Sequence, residues 1–436
     1  MKAEICALTP SNWQIRSVED ICTRVTSGGT PSRTRPDFYV NGVWPWVKTQ
    51  ELQDTWIEKA EEKITEEAVA NSSAKVLPPN TILLAMYGAT VGQLGILRSP
   101  MTCNQACCAM IVDSEKADFR YLYHHLRYSR TQLKSLATGA AQQNLNGALI
   151  KSLLYPFPPL AEQKAIAAVL EALDDKIELN RRMNVTLEAM ARALFQSWFV
   201  DFDPVRAKLD GRKPVGMDEA TAALFPDHLE DSPIGHLPTG WKVGKIQDCC
   251  VQIQNGGTPR RNEPRFWDGG NIPWLASGEV RQSIITATES FITVEGLAES
   301  SAKWVPAFST VVALYGATAG QVSFTSSRLT TNQAVCALIP KKDFAFFNYL
   351  TMREATVELE NKAVGSAQQN ISKGIVEETR VVLPPSALIE RFATVASPLF
   401  ERWISNLHQS RTLATLRDTL LPKLLSGELS SNHLQN

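Results

Sequence analysis

The side chains that could carry catalytic chemistry in this chain of 436 residues are few and scattered. Its eight cysteines include Cys103, Cys107 and Cys108 and the pair Cys249 and Cys250, and neither group has the spacing of a zinc site. Only six histidines occur, and no Ser-His-Asp or Cys-His constellation can be argued from them. We therefore predict buried, reduced thiols and no catalytic site.

One group of charged residues loosely matches the carboxylate-and-lysine cluster with which a nuclease holds its metal ion. Asp37, Glu62 and Lys63 form this pattern, but Arg265 and Ser290 stand at the corresponding places in the second half of the chain. A solvated charged segment is therefore the better interpretation. The sequence also lacks the phosphate-binding G-x-x-x-x-G-K-S/T loop, the G-x-G-x-x-G turn and the Asn/Asp-Pro-Pro-aromatic element of amino-methyltransferases. We expect no metal and no cofactor in this chain.

An internal duplication is the strongest signal in the sequence. The Gly-Gly-Thr-Pro motif at 28–31 recurs at 256–259, a shift of 228, and the shift becomes 226 towards the end of each copy. The matching positions form an ordered series. The first copy contributes Trp13, Phe38, Trp46, Glu51, 87–90 and 104–106, and their counterparts, in the same order, are Trp241, Phe266, Trp274, Glu279, 315–318 and 332–334. The chain therefore contains two copies of one unit.

Amide side chains are prominent among the repeated residues, and amides hydrogen-bond to base edges and phosphates as well as to backbone. For Asn104 and Asn332 we expect the structural role. The repeated glutamines are candidates for contact with nucleic acid, and these are Gln93, Gln142 and Gln143 with their counterparts Gln321, Gln368 and Gln369.

The charge pattern adds a local signal. A net charge of −1 excludes a protein that coats nucleic acid indiscriminately, but it does not exclude a basic surface. Residues 119–161 include five basic side chains and no acidic one, and the charged residues of 300–342 are likewise all basic. We predict that these stretches form a surface facing phosphates.

Each globular copy is followed by a segment in which apolar residues recur in steps of four and three, which predicts a helix with a heptad seam. Asn180 and Asn406 occupy equivalent seam positions, where a polar residue can fix the register. Pro398 predicts a kink or a late start in the second helix. The predicted seam residues are Leu170, Leu173, Ile177, Asn180, Leu187 and Leu194 in the first helix and Leu399, Trp403, Asn406, Leu413 and Leu420 in the second.

These elements predict an α+β protein with two similar mixed α/β globular domains. Two long helices separate the domains and pair as an antiparallel coiled coil, so that the duplication has pseudo-twofold symmetry. Within the domains we predict strands at 81–86, 107–112, 310–314 and 335–339 and a helix at 118–136. The predicted boundaries are 1–157 and 239–385 for the globular domains, 158–202 and 386–429 for the helical spacers, 203–238 for a connector and 430–436 for a tail.

In combination, these motifs resemble the specificity subunit of a type I restriction–modification system over nearly the whole chain. Trp13 and the motif at 28–31, with their second copies, match the way that family begins each target-recognition domain. Residues 158–163 resemble the entry to its first spacer, and 194–202 and 420–429 resemble the two spacer ends. Residues 387–390 depart from the family pattern, because they lack the Glu-Gln of the first copy.

The resemblance implies a subunit without activity of its own, in which each target-recognition domain reads one half of a bipartite site in double-stranded DNA. The helices would set the gap between the halves and dock modification subunits, two of them, which hold S-adenosylmethionine. Restriction subunits would add cleavage dependent on ATP and Mg. No cofactor would belong to this chain.

If the two domains read different half-sites, the base readers lie among the residues that differ between the copies. Shared Gly, Trp and Tyr residues are then expected to be packing and turn determinants. The divergent candidates are Arg33 and Arg35 against Arg260 and Arg261, and Lys48, Thr49 and Gln50 against Ala276, Ser277 and Gly278.

Two alternatives remain open: a coiled-coil adaptor that does not bind DNA, and a fused DNA methyltransferase or nuclease with unrecognised motifs. Residues 1–10 have no signal-peptide core. The most apolar run, 81–97, is shorter than the roughly 20 residues that span a bilayer. We expect a cytoplasmic protein without membrane contact.

Overall fold

The structure is a computed structural model that describes residues 10–139, 142–363 and 370–429, and all of their side chains except those of 138, 139, 142 and 143. The chain divides into unit 1, which comprises Met1–Ile177 with Thr412–Asn436, and unit 2, which comprises Glu178–Arg411. Each unit contains one globular copy of the repeat together with parts of both long helices.

The core of unit 1 is a five-stranded mixed sheet. All residues of its strands Ile82–Ala85 and Leu94–Leu97 are buried, as expected for apolar runs that are covered on both faces. The strand order is Cys22–Ser27, Cys107–Val112, Ile82–Ala85, Leu94–Leu97, Thr55–Ile57. A second sheet has the order Glu62–Ile64, Trp44–Val47, Thr102–Cys103, and two strand pairs are Gln14–Ser17 with Leu154–Phe157 and Thr138–Gly139 with Gln142–Gln143. The helices are Val18–Ile21, Glu66–Ala70, Phe119–Tyr128, Arg130–Leu136 and Gly147–Ser152, with 3₁₀ turns at Pro36–Phe38, Thr49–Glu51 and Gly88–Thr90.

Unit 2 repeats this arrangement. Its five-stranded sheet has the order Cys250–Asn255, Val335–Pro340, Thr310–Ala313, Val322–Thr325, Ile284–Ile285, and its four-stranded sheet has the order Ser290–Ile292, Ile272–Leu275, Leu329–Thr331, Trp304–Val305. The strand pairs are Lys242–Lys245 with Arg380–Leu383 and, in the connector, Leu229–Ser232 with Gly235–Pro238. The helices are Asp203–Leu209, Glu219–Ala223, Val294–Ala298, Ala345–Glu354, Thr356–Lys362 and Lys373–Glu377, with 3₁₀ turns at Ile246–Cys249, Pro264–Phe266, Ser277–Glu279 and Gly316–Thr318.

The strand register is the same in the two units. Trp46 pairs with Thr102 in parallel register, and Trp274 pairs with Thr330 in the same way. The duplication seen in the sequence is therefore a duplication of backbone geometry, and the predicted strands are found with small shifts at their ends. The single helix predicted at 118–136 is found as two helices, because Ser129 interrupts the helical conformation.

Two long helices follow the globular copies: the first spacer helix, Leu160–Phe199, and the second spacer helix, Ser386–Ser426. Each begins after a Pro-Pro pair, and proline is tolerated at the start of a helix but not in its interior. The late start predicted from Pro398 is wrong. Both Pro398 and Thr394 are exposed, so water can donate a hydrogen bond to the Thr394 carbonyl in place of the N–H that proline lacks.

The spacer helices pack antiparallel within each unit. In unit 1, Ile166 and Leu170 near the start of the first helix share a core with Leu424 near the end of the second. In unit 2, the rings of Phe199 and Phe392 lie 4.9 Å apart, which joins the end of the first helix to the start of the second. None of the eleven predicted seam residues is exposed. Together with the duplicated sheets, this packing confirms the predicted fold class.

Polar seam residues in unit 2 bond across the helix pair. Asn180 Nδ2 donates to Gln409 Oε1 at 2.8 Å, and Asn406 Nδ2 donates to Asn184 Oδ1 at 2.9 Å. Asn180 and Asn406 are almost completely buried. Because a buried amide without a partner is costly, these bonds favour one register of the pair over its alternatives.

An ion pair occupies the corresponding seam in unit 1. Arg417 Nη1 lies 2.6 Å from Asp174 Oδ1 and is largely buried, and Arg127 Nη1 lies 2.8 Å from Asp174 Oδ2. The pair ties the end of the second spacer helix to the first, and Asp174 also fixes the globular helix that carries Arg127.

We expect Asp174→Ala to destabilise the helix pair of unit 1 by about 2 kcal/mol, because it leaves a buried guanidinium with only its neighbour Asp418. Hydrogen exchange of residues 160–177 and 412–426 measures the effect. The double variant Asp174→Leu/Arg417→Leu should recover the part of the loss that is due to Arg417, although Arg127 still lacks its partner, and Asp418→Ala should change little. Equal losses in the single and double variants would show that the charges do not act as a pair.

Candidate nucleic-acid interface

Hydrogen bonds connect the four repeated polar segments of unit 1. These segments are the Gly-Gly-Thr-Pro turn at 28–31, the Tyr-Gly-Ala-Thr turn at 87–90, the Asn-Gln-Ala turn at 104–106 and residues 142–144. The connections are a bond from the Thr30 hydroxyl to Gln105 Oε1, a 2.8 Å bond from Met86 N to the Ala106 carbonyl, and an antiparallel bridge between Tyr87 and Asn144. Segments more than 100 residues apart thus form one polar surface, which we call the loop surface of unit 1.

The corresponding segments of unit 2 make the same connections, which define its loop surface. They are a bond from the Thr258 hydroxyl to Gln333 Oε1, a 2.8 Å bond from Leu314 N to the Ala334 carbonyl, and a bridge between Tyr315 and Asn370. The two loop surfaces are therefore built from the same residues and bonds, and the copies differ in the residues beside them, such as Lys48 against Ala276.

A buried tryptophan holds the Gly-Gly turn in each unit. Trp46 Nε1 donates to the Gly29 carbonyl at 2.9 Å, and Trp274 Nε1 donates to the Gly257 carbonyl at 2.9 Å. The first glycine of the turn lies against backbone, since a Cβ on Gly28 would lie 2.1 Å from the Cys103 carbonyl oxygen. The shared Gly and Trp residues are therefore packing determinants, as the sequence predicted.

The shared tyrosines are different. Tyr87 is 39% exposed and Tyr315 is 41% exposed, although both follow buried strands. Gly88 and Gly316 follow them with φ of +72° and +79°, a conformation that favours glycine. Both tyrosines begin a turn, in keeping with the turn role expected of them, but the expected packing role is not found, because the turn carries their rings partly out of the core and leaves them available to stack.

A shared acidic residue shapes the turn that contains Lys48, Thr49 and Gln50. The Glu51 carboxylate accepts bonds from Lys48 N at 2.7 Å and Glu61 N at 2.8 Å. In unit 2 the Glu279 carboxylate accepts the equivalent bonds from Ala276 N and Glu289 N, both at 2.8 Å. Sequence reasoning noted the repeat of this glutamate but missed its role, although the recurrence at a fixed shift was the available signal.

The arginines predicted for unit 1 have carboxylate partners. Arg33 donates to both carboxylate oxygens of Glu62, at 2.7 and 3.2 Å. Arg35 pairs with Asp37 and with Glu67. These bonds raise the pKa of both guanidinium groups, and Arg33 holds the pKa of Glu62 below its usual value.

Lys48 extends the same network. Its Nζ lies 2.9 Å from Glu61 Oε2 and 3.1 Å from Glu62 Oε1, and hydrogen bonds first to Glu61 and then to Glu62 raise its pKa. Thr49 is half-buried and Gln50 is exposed beside it. The structure therefore brings Arg33 and Lys48 together through Glu62, whereas Arg35 lies in a separate ion-pair group.

In unit 2 the predicted residues have fewer carboxylate partners. Arg260 and Arg261 are exposed and form no ion pair with any residue that the structure describes. The Ser277 carbonyl accepts a 3.0 Å bond from the Thr318 hydroxyl, which joins the turn Ser277–Glu279 to the loop surface. Gln321 Nε2 donates to Glu360 Oε1 at 2.6 Å, so this amide has a protein partner.

The contacts of the remaining glutamine candidates do not test their predicted role in binding nucleic acid. Gln93 is half-buried, and its backbone bonds to Thr90 and Ala85 within the turn that follows Tyr87. Gln142 and Gln143 lie on a short strand whose side chains are outside the described set, and Gln368 and Gln369 lie outside the described residues altogether. All six glutamines stay predictions.

The prediction of a phosphate-facing basic surface over residues 119–161 is wrong for the three arginines, because each is paired with an acid from elsewhere in unit 1. Lys151 also pairs with an acid, and the pairs are Arg120 with Asp118 and Glu171, Arg127 with Asp174, Arg130 with Asp54, and Lys151 with Glu19. In residues 300–342, Arg328 is exposed and stacks on Trp304 at 4.6 Å, so for that stretch the prediction stands untested.

Asn104 and Asn332 have the structural role expected of them. Asn104 Oδ1 accepts a bond from Ala106 N at 3.2 Å, and Asn332 Oδ1 accepts one from Ala334 N at 3.1 Å. Each bond closes its Asn-Gln-Ala turn, so that the exposed glutamine in the middle of the turn has a fixed position.

The described part of the chain contains no cluster of three or more His, Cys, Asp or Glu side chains able to hold a metal ion. Of its seven described cysteines, six are buried and Cys22 is half-buried, and all are unpaired. Among the described residues, no helix has the length and apolar character needed to cross a bilayer.

A family model described as "Type I restriction modification DNA specificity domain" matches residues 10–189 and again residues 238–390. The chain belongs to this family. The two matches fall on the two copies of the repeat, so the duplication of the loop surface is a duplication of the family's domain.

Curated relatives of the type I specificity family match most of the chain. The specificity subunit of the MjaIX type I restriction enzyme of Methanocaldococcus jannaschii is 27% identical over 433 residues, which cover 98% of this chain and 95% of the relative. The HindI specificity subunit of Haemophilus influenzae is 31% identical over 323 residues, which cover 64% and 70%. The crystal structure of the S subunit from M. genitalium matches with a TM-score of 0.58 and 15% identity over 95% of this chain and 96% of that one, which supports the shared fold.

Proposed function

We propose that this chain is the DNA-recognition subunit of a type I restriction–modification complex, and that each loop surface reads one half of a bipartite double-stranded site. The observation that carries the proposal is the pair of loop surfaces with identical residues and hydrogen bonds, beside which the two copies differ, as at Lys48, Thr49 and Gln50 against Ala276, Ser277 and Gly278. A constant frame with variable positions is what two half-sites of different sequence require, because backbone contacts fix the register and side chains read the bases.

The proposal extends to the partners. Modification subunits, two in number, would dock on the spacer helices, and restriction subunits would join the complex in the cytoplasm. Exposed apolar side chains on the first spacer helix support a docking role, since Leu179, Val185 and Met190 are each at least half exposed. S-adenosylmethionine, ATP and Mg would be held by the partners, and this chain would hold none of them.

Exchanging one globular domain tests the proposal. Residues 1–157 are replaced by the corresponding residues of another family member, and the variant is purified in complex with its modification subunit. We expect the methylated sequence to change in one half-site only, with the other half-site and the gap unchanged, because the second domain and both spacers are retained. Sequencing of methylated adenines in the host genome measures all three quantities.

The reciprocal exchange of residues 239–385 is the matched control and should change the other half-site. If one exchange altered both half-sites, the modular model would be wrong. If the wild-type complex showed no sequence preference at all, the chain would be a coiled-coil adaptor instead.

A further inference from the structure

Arg33 and Arg261 occupy the same place in the two units. Each guanidinium lies over the ring of the tryptophan that holds the Gly-Gly turn, with Arg33 at 5.1 Å from Trp46 and Arg261 at 4.8 Å from Trp274. A second ring completes each stack: Tyr39 at 4.3 Å from Arg33, and Trp267 at 4.0 Å from Arg261. Stacking fixes the plane of each guanidinium beside its loop surface.

The residue opposite the tryptophan differs between the units. Trp46 pairs with Glu62 across two antiparallel strands, and Trp274 pairs with Ser290 in the same register. Glu62 accepts two hydrogen bonds from Arg33, whereas Ser290, a serine, has no carboxylate with which Arg261 could pair. The guanidinium of Arg33 is therefore occupied, while that of Arg261 is stacked, exposed and without an ion-pair partner among the described residues.

A stacked guanidinium with a free N–H edge suits the major-groove edge of guanine. Guanine presents N7 and O6 side by side, and arginine binds both when its plane is fixed. Arginine also binds phosphate through two parallel bonds, so the stack alone suits either ligand. We favour base recognition because the residue opposite the tryptophan, Glu62 or Ser290, differs between the units. In unit 1 the Glu62 carboxylate fills the donor edge and would bring negative charge towards the DNA.

We propose that Arg261 is a guanine-reading residue of unit 2 and that Glu62 is a specificity-determining residue of unit 1, which acts by withholding Arg33 from the same contact. This inference rests on the proposed function, since it assumes that the loop surfaces face DNA. It assigns different roles to two arginines that the duplication made equivalent.

The first test compares Arg261→Ala and Arg261→Lys with the wild type, each as the full chain in complex with its modification subunit. Binding is measured against the complex's own site and against variants with guanine replaced at each position in turn. We expect both substitutions to remove about 5- to 150-fold of discrimination at one guanine of one half-site. Arg33→Ala is the comparison in unit 1: it should remove no guanine discrimination, because Glu62 already withholds Arg33, whatever the change in overall affinity once Glu62 loses its partner.

The second test frees Arg33. Glu62→Ser introduces the residue of unit 2, and we expect it to add a guanine preference of about fivefold or more at one position of the other half-site. The double variant Glu62→Ser/Arg33→Ala should abolish that gain, which a purely structural role for Glu62 would not predict.

Three results would overturn the inference while leaving the proposed function intact. Arg261→Ala without loss of discrimination is the first. A uniform loss of affinity for all sequences, with a salt slope smaller by about one, would identify a phosphate contact instead. A gain in Glu62→Ser that persists without Arg33 is the third. A wild-type complex without sequence preference would instead refute the proposed function itself.

Discussion

Acidification below pH 6.5 is expected to unfold unit 1 before unit 2, because unit 1 buries two adjacent imidazoles. His124 is 2% exposed and His125 is 4% exposed. Burial lowers the pKa of each to about 3, and the positive charges of Arg127 and Arg417 add to the effect at His124. Two ring nitrogens, His124 Nδ1 and His125 Nε2, have no hydrogen-bond partner among the described residues, and burial outweighs the opposing effects of Asp118 on His124 and of the Pro156 backbone on His125.

The sign follows from the direction of the shift. Above pH 6.5 both rings are neutral whether the unit is folded or unfolded, so they contribute no pH dependence. Between pH 6.5 and 3 the two histidines are protonated in the unfolded chain but not in the folded unit. The free energy of unfolding therefore falls by about 1.4 kcal/mol for each histidine with every unit by which the pH is lowered. At pH 4.5 the two together would cost about 5 kcal/mol, which is a large part of the stability of an ordinary domain.

The duplication supplies the control. Leu350 and Thr351 of unit 2 stand at the positions of His124 and His125, so His124→Leu/His125→Thr gives unit 1 the residues of its own repeat. Hydrogen exchange at a series of pH values, resolved by peptide, measures the opening of each unit. In the double variant the acid midpoint of unit 1 should move down towards that of unit 2. An unchanged midpoint would show that carboxylates, and not the histidines, set the acid limit.

The sequence was sufficient for the features that depend on local patterns and on the repeat. Heptad spacing identified seam residues that are buried or half-buried in both spacer helices, and the fixed shift between copies identified the turns that form the loop surfaces. The heptad prediction succeeds because burial of one helix face imposes a regular spacing on the apolar residues. The repeat succeeds because two copies of one fold must form the same backbone hydrogen bonds. The domain boundaries and the contact residues on DNA stay predictions.

The sequence failed where a side chain's partner lies far along the chain. The basic stretch at 119–161 is free of acids in sequence, yet Arg130 pairs with Asp54, 76 residues earlier, and Arg127 pairs with Asp174, 47 residues later. Arg33 and Arg261 likewise differ in ion pairing because Glu62 and Ser290 lie on the strand that pairs with the strand of the stacked tryptophan. Charge counted along a chain describes composition, whereas the electrostatics of a surface depend on which strands and helices are neighbours.

Gly28→Ala is expected to disrupt the loop surface of unit 1 and to cost about 3 kcal/mol, the upper part of the range for overpacking. The added Cβ would lie 2.1 Å from the Cys103 carbonyl oxygen and 2.4 Å from that of Asn104. Both are backbone atoms of the segment that carries Gln105, so no side-chain rotation relieves the clash. The Gly-Gly turn and the Asn-Gln-Ala turn must then separate, which breaks the bond between Thr30 and Gln105.

Separation of the turns should also abolish recognition of one half-site while the other is still read, since Gly256 holds the loop surface of unit 2 independently. Gly147→Ala is the matched control in the same unit. A Cβ there meets no atom of the described residues within 4 Å, and Gly147 begins a short helix, which alanine favours over glycine. Unfolding by urea and half-site discrimination by the complex are measured for both variants. If Gly28→Ala kept both its stability and its discrimination, the close approach of the two turns would not be required for the loop surface. If it lost stability and both half-sites together, the two surfaces would be coupled rather than independent readers.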